Sequence, residues 1–339
     1  MTSPIVEIAI IVCTYNPDAA VFSRTLNAIA ALKMPDDIKI ECVLVDNNSS
    51  IAIAELTYVQ AFLAQCSWAT VIREPQQGLT FARLCGVRST TAEILVFIDD
   101  DNEPASDYLI GVQYCFQAYP SVAVWGPGRV KVDFLAPVSP WFDRNFRGKF
   151  QEKNVQHTEY GCVFERWAEF YPPGTGMSVK RDVMEQYERA ISEGVLASTD
   201  RQGRSLSSGG DVQIVWEAVK MGLAAGVSPQ LQMTHLIPGQ RATLDYVTRL
   251  TFGTASSYMP AVSASFGWTL EKVAQHKPSH RLIVKNILKL IVQRLVKFNH
   301  KRLRVDLAKY VGQVIGVLRV VDTTDQHWLY KVVKVLNFE

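Results

Sequence analysis

The sequence predicts an α/β fold: a mostly parallel sheet with helices on both faces, followed by a helical, basic C-terminal region. Three observations carry this. Over the first 130 residues, apolar β-branched runs alternate with segments of helical spacing. The first, second and fourth of those runs end in short polar tips. Beyond about residue 240 the strand-like runs give way to long helical patterns rich in Lys and Arg.

The run VEIAIIVCTY opens the alternation and stops at the turn NPD; AAVFSRTLNAIAAL then places Val21, Leu26, Ile29 and Leu32 at helical spacing. IKIECVLVDNNSS reads as a second strand and IAELTYVQAFLAQC as a second helix. WATVIREP is a short third strand, LTFARLCGVRSTT a third helix, and EILVFIDDD the fourth strand. Ligands of such sheets bind beyond the carboxyl ends of the strands. The tips Thr14–Asn16, Asp46–Ser49 and Asp99–Asp101 are therefore expected to converge on one edge. From about 130 to 240 the chain is rich in aromatics, Gly and Pro. Short strands, loops and one helix, Asp211 to Met221 stopped by Gly222, are expected there.

Asp99, Asp100 and Asp101 follow directly on an apolar strand. Two unit charges about 4 Å apart repel by roughly 4 kcal/mol at an effective dielectric of 20. Such a cluster calls either for a cation or for screening by water.

Composition narrows the class. Of 339 residues, 48% are hydrophobic and 20% charged, which fits a globular protein with a sizeable core. A net charge of +2 argues against a nucleic-acid binder. The six cysteines form no CxxC pair, which suggests reduced, buried thiols in a cytosolic protein rather than a disulfide framework or zinc site. No signal peptide is expected from the N-terminal stretch, and no window reaches the roughly 20 apolar residues of a membrane span.

Four segments, in order, resemble the family 2 glycosyltransferases: IVCTYNPD, VLVDNNSS, VFIDDDNEP as a DxD motif, and SSGGDVQIVWEAVKMG in the place of an acceptor-side acidic motif. QQGLTFARLCGV, GTGMSVKRDV and HLIPGQR add lesser matches, so the resemblance spans roughly residues 8 to 241. It implies a GT-A type, Rossmann-like fold over 1–240, with a nucleotide half to about 130 and an acceptor half after it. It also implies an inverting enzyme that uses a nucleotide diphosphate-sugar and a divalent cation, Mn2+ or Mg2+. The processive members' Gln-x-x-Arg-Trp motif is missing, which implies one sugar added per encounter.

By that resemblance Asp101 is the leading metal ligand, Asp99 faces the ribose or the metal's water shell, and Asp100 lies between them on the nucleotide side. Mg2+ keeps several waters, so one or two protein carboxylates are enough. Thr14, Tyr15 and Asn16 match the turn against the nucleotide. Asp46 matches the carboxylate that reads the base; it suits the N3–H of uracil without excluding guanine or thymine. Asn48 and Ser49 are nucleotide contacts or plain turn residues. Gly78 and Arg83 fall in a segment under the nucleotide, with a surface helix position as the alternative for Arg83. Asp211 is the expected catalytic base; taken without the other motifs it would read as readily as an acid placed to favour a helix N-terminus. Gly210 stands where the family commonly has Glu, and the SLSSGG run before Asp211 is expected to order on substrate binding. His235 is a metal ligand or diphosphate contact, or a structural histidine; Arg241 pairs with phosphate or caps its region. Gly174, Gly176 and Met177 lie in an acceptor-side loop. Trp141, Trp167 and Tyr171 are sugar platforms or core aromatics.

Between Lys272 and Arg304 lie Lys277, Arg281, Lys285, Lys289, Arg294, Lys297, Lys301 and Arg302, with no acid among them. Placed on a helix, 282–296 has an apolar side centred near Ile287, Ile291 and Leu295, with the cations mostly opposite. This reads either as a surface for an anionic membrane or as a core-packing helix with a solvated basic face. The implied partners are a nucleotide-sugar donor, a glycan or lipid-linked glycan acceptor and an anionic membrane surface, with no nucleic acid. The implied location is peripheral on the cytoplasmic face of the cell membrane. A sugar nucleotidyltransferase is the rival enzyme, but it should carry a Gly-rich phosphate loop after its first strand, where this chain has TYNPD. A non-catalytic nucleotide-sugar-binding subunit is the other alternative.

Overall fold

The computed structural model describes residues 6–36, 38–196, 209–296, 300–322 and 327–338. Lys297 and residues 205–208 of the SLSSGG run lie outside the described residues. The chain divides into two compact units, Met1–Glu193 with Ile214–Gly239, and Gly194–Gln213 with Gln240–Glu339.

In the first unit, β1 (Val6–Thr14), β2 (Lys39–Asp46), β3 (Ala69–Arg73) and β4 (Ile94–Asp99) run parallel in the order β3-β2-β1-β4. Ile8 to Val12 are fully buried, as a central strand covered on both faces requires. The connections are α1 (Ala19–Ala30), α2 (Thr57–Gln65) and α3 (Leu79–Arg88). Asp18 caps α1 by accepting from the Ala20 and Val21 amides, and Phe22, Leu26 and Ile29 turn the helix's apolar face inward. Such a cap contributes about 1 kcal/mol. The second helix begins later than its periodicity suggests: Ile53–Glu55 form a 3-10 turn first, and the Ile53 amide donates to Asp46.

The sheet continues beyond β4 through β5 (Asn102–Pro104), α4 (Tyr108–Ala118), β6 (Val122–Phe134), α5 (Pro140–Phe146), β7 (Lys153–Asn154), β8 (Glu159–Gly161), β9 (Ser178–Lys180), α6 (Arg181–Ser192), α7 (Gly210–Lys220) and β10 (Ala224–Ile237). The middle of the chain, where short strands were expected, holds two long ones. β6 and β10 run parallel, β9 is antiparallel between β4 and β6, and β5 is antiparallel to β10. The sheet is thus mixed beyond β4.

The second unit is helical: α8 (Leu244–Ser265), α9 (Leu270–Ala274), α10 (His280–Val296), α11 (His300–Val321) and α12 (Trp328–Val335). Phe252, Ile283, Val311, Ile315, Leu318, Leu329, Val333 and Phe338 form its core. Gly312 and Gly316 lie one turn apart on α11. A Cβ on either would stand 2.8–2.9 Å from a carbonyl oxygen of α8, so glycine permits this close crossing.

Candidate active site

Parallel pairing brings the polar tips together. Thr14 is in register with Asp46, and Cys13 with Asp99, so β1, β2 and β4 end at one edge. The Asn47 amide extends the β1–β2 ladder by donating to the Thr14 carbonyl (2.9 Å). Beyond β1 the chain turns with Asn16 in the left-handed region (φ 46°), and beyond β2 with Asn48 (φ 65°), a conformation Asn tolerates better than most residues. The turns are stitched together: the Asn16 amide donates to Ser49 Oγ (2.9 Å), and Asn16 Oδ1 accepts from the Ser50 amide (2.8 Å). Tyr15 is left half exposed.

Asp46 is buried at this edge, its two oxygens accepting from the Ser49 (2.8 Å) and Ile53 (3.3 Å) amides. It therefore builds the turn that carries Asn48 and Ser49, while each oxygen keeps a further lone pair. Asn48 accepts from Arg73 (2.9 Å). Asn47 was not singled out by the sequence. Its Nδ2 donates to the Gln76 (2.7 Å) and Glu74 (3.3 Å) carbonyls and its Oδ1 accepts from the Gly78 amide (2.8 Å), tying the loop before α3 to the end of β2. Gly78 sits at φ 140°, which favours glycine. Arg83 is 2% exposed and lies over the Phe97 ring, so it is no surface helix residue.

The middle acid, Asp100, is clamped from two sides. Thr14 Oγ1 donates to Asp100 Oδ2 (2.5 Å), and Thr25 Oγ1 of α1 donates to the Asp100 carbonyl (3.0 Å). Asp101 is buried; its Oδ1 accepts from Asn102 Nδ2 (2.9 Å), and its carbonyl accepts from the Leu236 amide (2.8 Å). The pairing of β5 with β10 sets Asn102 opposite His235. His235 Nε2 stands 3.7 Å from Asp101 Oδ1, and His235 Nδ1 is 2.9 Å from the Phe150 carbonyl. Burial pulls the imidazole's pKa down, but Asp101, the Phe150 carbonyl and Asp99 outweigh it and hold the pKa above its ordinary value. Just outside, Arg24 makes a paired contact with Glu103 (2.7 and 2.8 Å) and reaches Asp133 (3.1 Å), bracing β5 against α1. Burial raises the Cys13 thiol to about 12, which keeps this neighbour of the acids in its protonated form. Of the other cysteines, Cys162 is exposed, unlike the buried thiols expected.

The expected acceptor-side residues separate into two groups. Gly174, Gly176 and Met177 are buried in the turn that leads into β9. Gly176 has φ +63°, and Tyr108 Oη donates to its carbonyl. Tyr171 is 1% exposed, with its hydroxyl hydrogen-bonded to the Val163 backbone, so its ring packs in the core and presents no face to a sugar. Trp141 is half buried against Phe146, and Trp167 against Tyr171 and Trp216. Gly210 and Asp211 open α7, and Arg241 follows β10.

Among the described residues, no three His, Cys, Asp or Glu side chains converge closely enough to hold a metal by themselves. Buried Asp101 with His235 beside it nevertheless suits a hard cation that takes one or two protein ligands and completes its shell with water and phosphate oxygens.

Comparison with known proteins settles the family. The model of Glycosyl transferase family 2 matches residues 9–186, just over half of the chain. The chain belongs to that family. It is 27% identical over 139 residues to the succinoglycan biosynthesis protein ExoM of Rhizobium meliloti, covering 40% of this chain and 43% of that protein. It is 31% identical over 109 residues to the glycosyltransferase AglE of Haloferax volcanii, covering 32% and 35%. The matched stretch thus spans less than half of either relative. The mannosyltransferase PcManGT of Pyrobaculum calidifontis, solved with GDP-Man and Mn2+, superposes with a TM-score of 0.57 at 19% identity, covering 95% of this chain and 88% of that one. The fold is that of the GT-A glycosyltransferases.

Proposed function

We propose that the chain is a metal-dependent, inverting glycosyltransferase. It moves one sugar from a nucleotide diphosphate-sugar, with a UDP-sugar favoured, to a hydroxyl of a glycan or lipid-linked glycan acceptor. The observation that carries this reading is the acid cluster at the end of β4, with Asp100 held by Thr14 and Thr25 and Asp101 beside His235, at the edge where β1 and β2 also end.

A divalent cation, Mn2+ or Mg2+, when bound neutralises the donor's diphosphate and the charge left on the departing nucleotide. Asp101 and Asp99 are its carboxylate ligands. With His235 Nδ1 held by the Phe150 carbonyl, its Nε2, next to Asp101, would be the nitrogen available to a bound cation. Thr14, Tyr15, Asn16, Asp46 and Asn48 bind the nucleoside, and Gly78 and Arg83 support it from below. Asp211 takes the proton from the acceptor hydroxyl as that oxygen attacks the anomeric carbon, so the configuration inverts in one displacement. Surface polysaccharide or glycolipid assembly, worked from the cytoplasmic face of the membrane, is the process this chemistry serves; the basic C-terminal region supports it.

The test is thermal shift with UDP, GDP, TDP and CMP, with and without Mn2+, followed by turnover of the matching sugar donor. A ligand at 100 times its dissociation constant stabilises by about 2.7 kcal/mol. The expected result is a Mn2+-dependent shift with one diphosphate and metal-dependent turnover. Binding without any turnover would favour a non-catalytic subunit, which Gly210 in place of the common Glu makes the specific rival. No shift with any nucleotide would overturn the reading.

A further inference from the structure

The geometry points to the solvent side of α10 as a docking surface for an anionic lipid bilayer. This deepens the peripheral-membrane part of the reading above, but it rests on a different part of the molecule from the chemistry.

The helix has two apolar sides, and packing uses one of them. Ile283 is 1% exposed and Ile287 packs with it against the core of the second unit. On the same side Asn286 Nδ2 donates to Tyr310 Oη (3.0 Å), and Arg294 pairs with Asp306 of α11. This corrects the apolar side expected from the sequence: Ile287 faces inward, whereas Leu295 is 57% exposed. The outer side carries Val284, Leu288, Val292 and Leu295, spaced four, four and three residues apart and each 47–57% exposed. That spacing makes one continuous stripe, because residues three and four apart share a helix face. Arg281, Lys285 and Lys289 lie along it, and residues 280–296 contain no acid.

An apolar stripe lined by cations is complementary to a surface with an apolar interior and an anionic rim. The helix is about 25 Å long, and among the described residues no helix is long and apolar enough to cross a membrane. The fit is therefore to a helix lying in the headgroup layer, with the stripe among acyl chains and the cations at lipid phosphates. A second copy of the chain fits less well. A two-fold pairing of this face with itself would oppose cations with no acid present to neutralise them.

The experiment is flotation of the full chain with vesicles of phosphatidylcholine alone or with about one-third phosphatidylglycerol, at low salt and at high salt. Binding is expected to the anionic vesicles only, and to fall at high salt. Each cation near such a surface adds roughly fivefold to partitioning, so K285E/K289E is expected to weaken it by at least about thirtyfold. L288D/V292D, at exposed positions, should abolish it. Donor turnover in solution should be unchanged in both variants. Loss of turnover throughout, with vesicle binding kept, would count against the chemistry and leave this proposal standing. Wild-type binding by both variants, or no binding to any vesicle, would overturn it. So would a dimer in light scattering that L288D/V292D converts to monomer, since the face would then be a contact between copies.

Discussion

His235 Nε2 lies 3.7 Å from Asp101 Oδ1 because β5 pairs with the end of β10, and the Phe150 carbonyl holds the other ring nitrogen at 2.9 Å. A hydrogen bond that fixes one nitrogen of a histidine orients the other. His235→Ala is expected to raise the Mn2+ concentration for half-maximal turnover by about 10–100-fold, with a smaller effect on kcat at saturating metal. A Mn2+ titration of both proteins measures this. An unchanged titration would make His235 a structural residue of the β5–β10 joint.

Asp101 should be less replaceable. Asp101→Asn keeps the shape and the contact with Asn102 but removes the charge. Turnover is expected to fall by on the order of a hundredfold or more, and the Mn2+-dependent thermal shift with nucleotide to disappear. Retained metal dependence would leave Asp101 as a buried structural acid that holds Asn102 and the start of β5.

The parts of this site that were legible in the sequence are those set by local pattern. Apolar alternation located β1, β2 and β4, and parallel pairing then had to bring Thr14, Asp46 and Asp99 to one edge. The contacts missed depend on long-range pairing. Nothing near Phe150 marks its carbonyl as the partner of a residue 85 positions away, and Arg24 gives no local sign of Glu103 and Asp133. Tyr171 read as a possible sugar platform although core aromatics are the commoner case, since residue type alone does not settle burial. α10 misled for a related reason: a helix with two apolar sides does not reveal by periodicity which one is packed.

Asn47 offers a test of the loop before α3, which it ties to the end of β2. Asn47→Ala removes three hydrogen bonds and leaves the Gly78 amide without its acceptor. The expected loss is about 2–3 kcal/mol of stability, with a raised KM for the donor. Chemical denaturation together with donor kinetics checks both effects. A loss of stability with an unchanged KM would confine Asn47 to folding.

Asp211→Asn separates catalysis from binding. As a base, Asp211 is needed for proton removal and not for holding the nucleotide. Turnover is expected to fall by about a hundredfold or more while the nucleotide-induced thermal shift is kept. Unchanged turnover would leave Asp211 as an acid at the start of α7, where it favours the helix dipole.

Glu217 makes stability depend on pH. It is 4% exposed, and burial pushes its carboxyl above the ordinary value, while Lys220 Nζ at 2.9 and 3.0 Å pulls the other way. With the pKa higher in the folded chain than in the unfolded one, the folded state binds more protons between the two values. Its contribution is therefore fully present below the unfolded value of about 4.5 and is lost as pH rises through the folded one. Glu217→Gln removes the titration while keeping the shape and an acceptor for Lys220. Relative to wild type, the variant is expected to gain melting temperature as pH rises above about 4.5, and the difference to level off once wild-type Glu217 is fully ionised. Melting both proteins from acid to neutral pH measures this; a difference that does not change with pH would mean that Lys220 offsets the whole effect of burial.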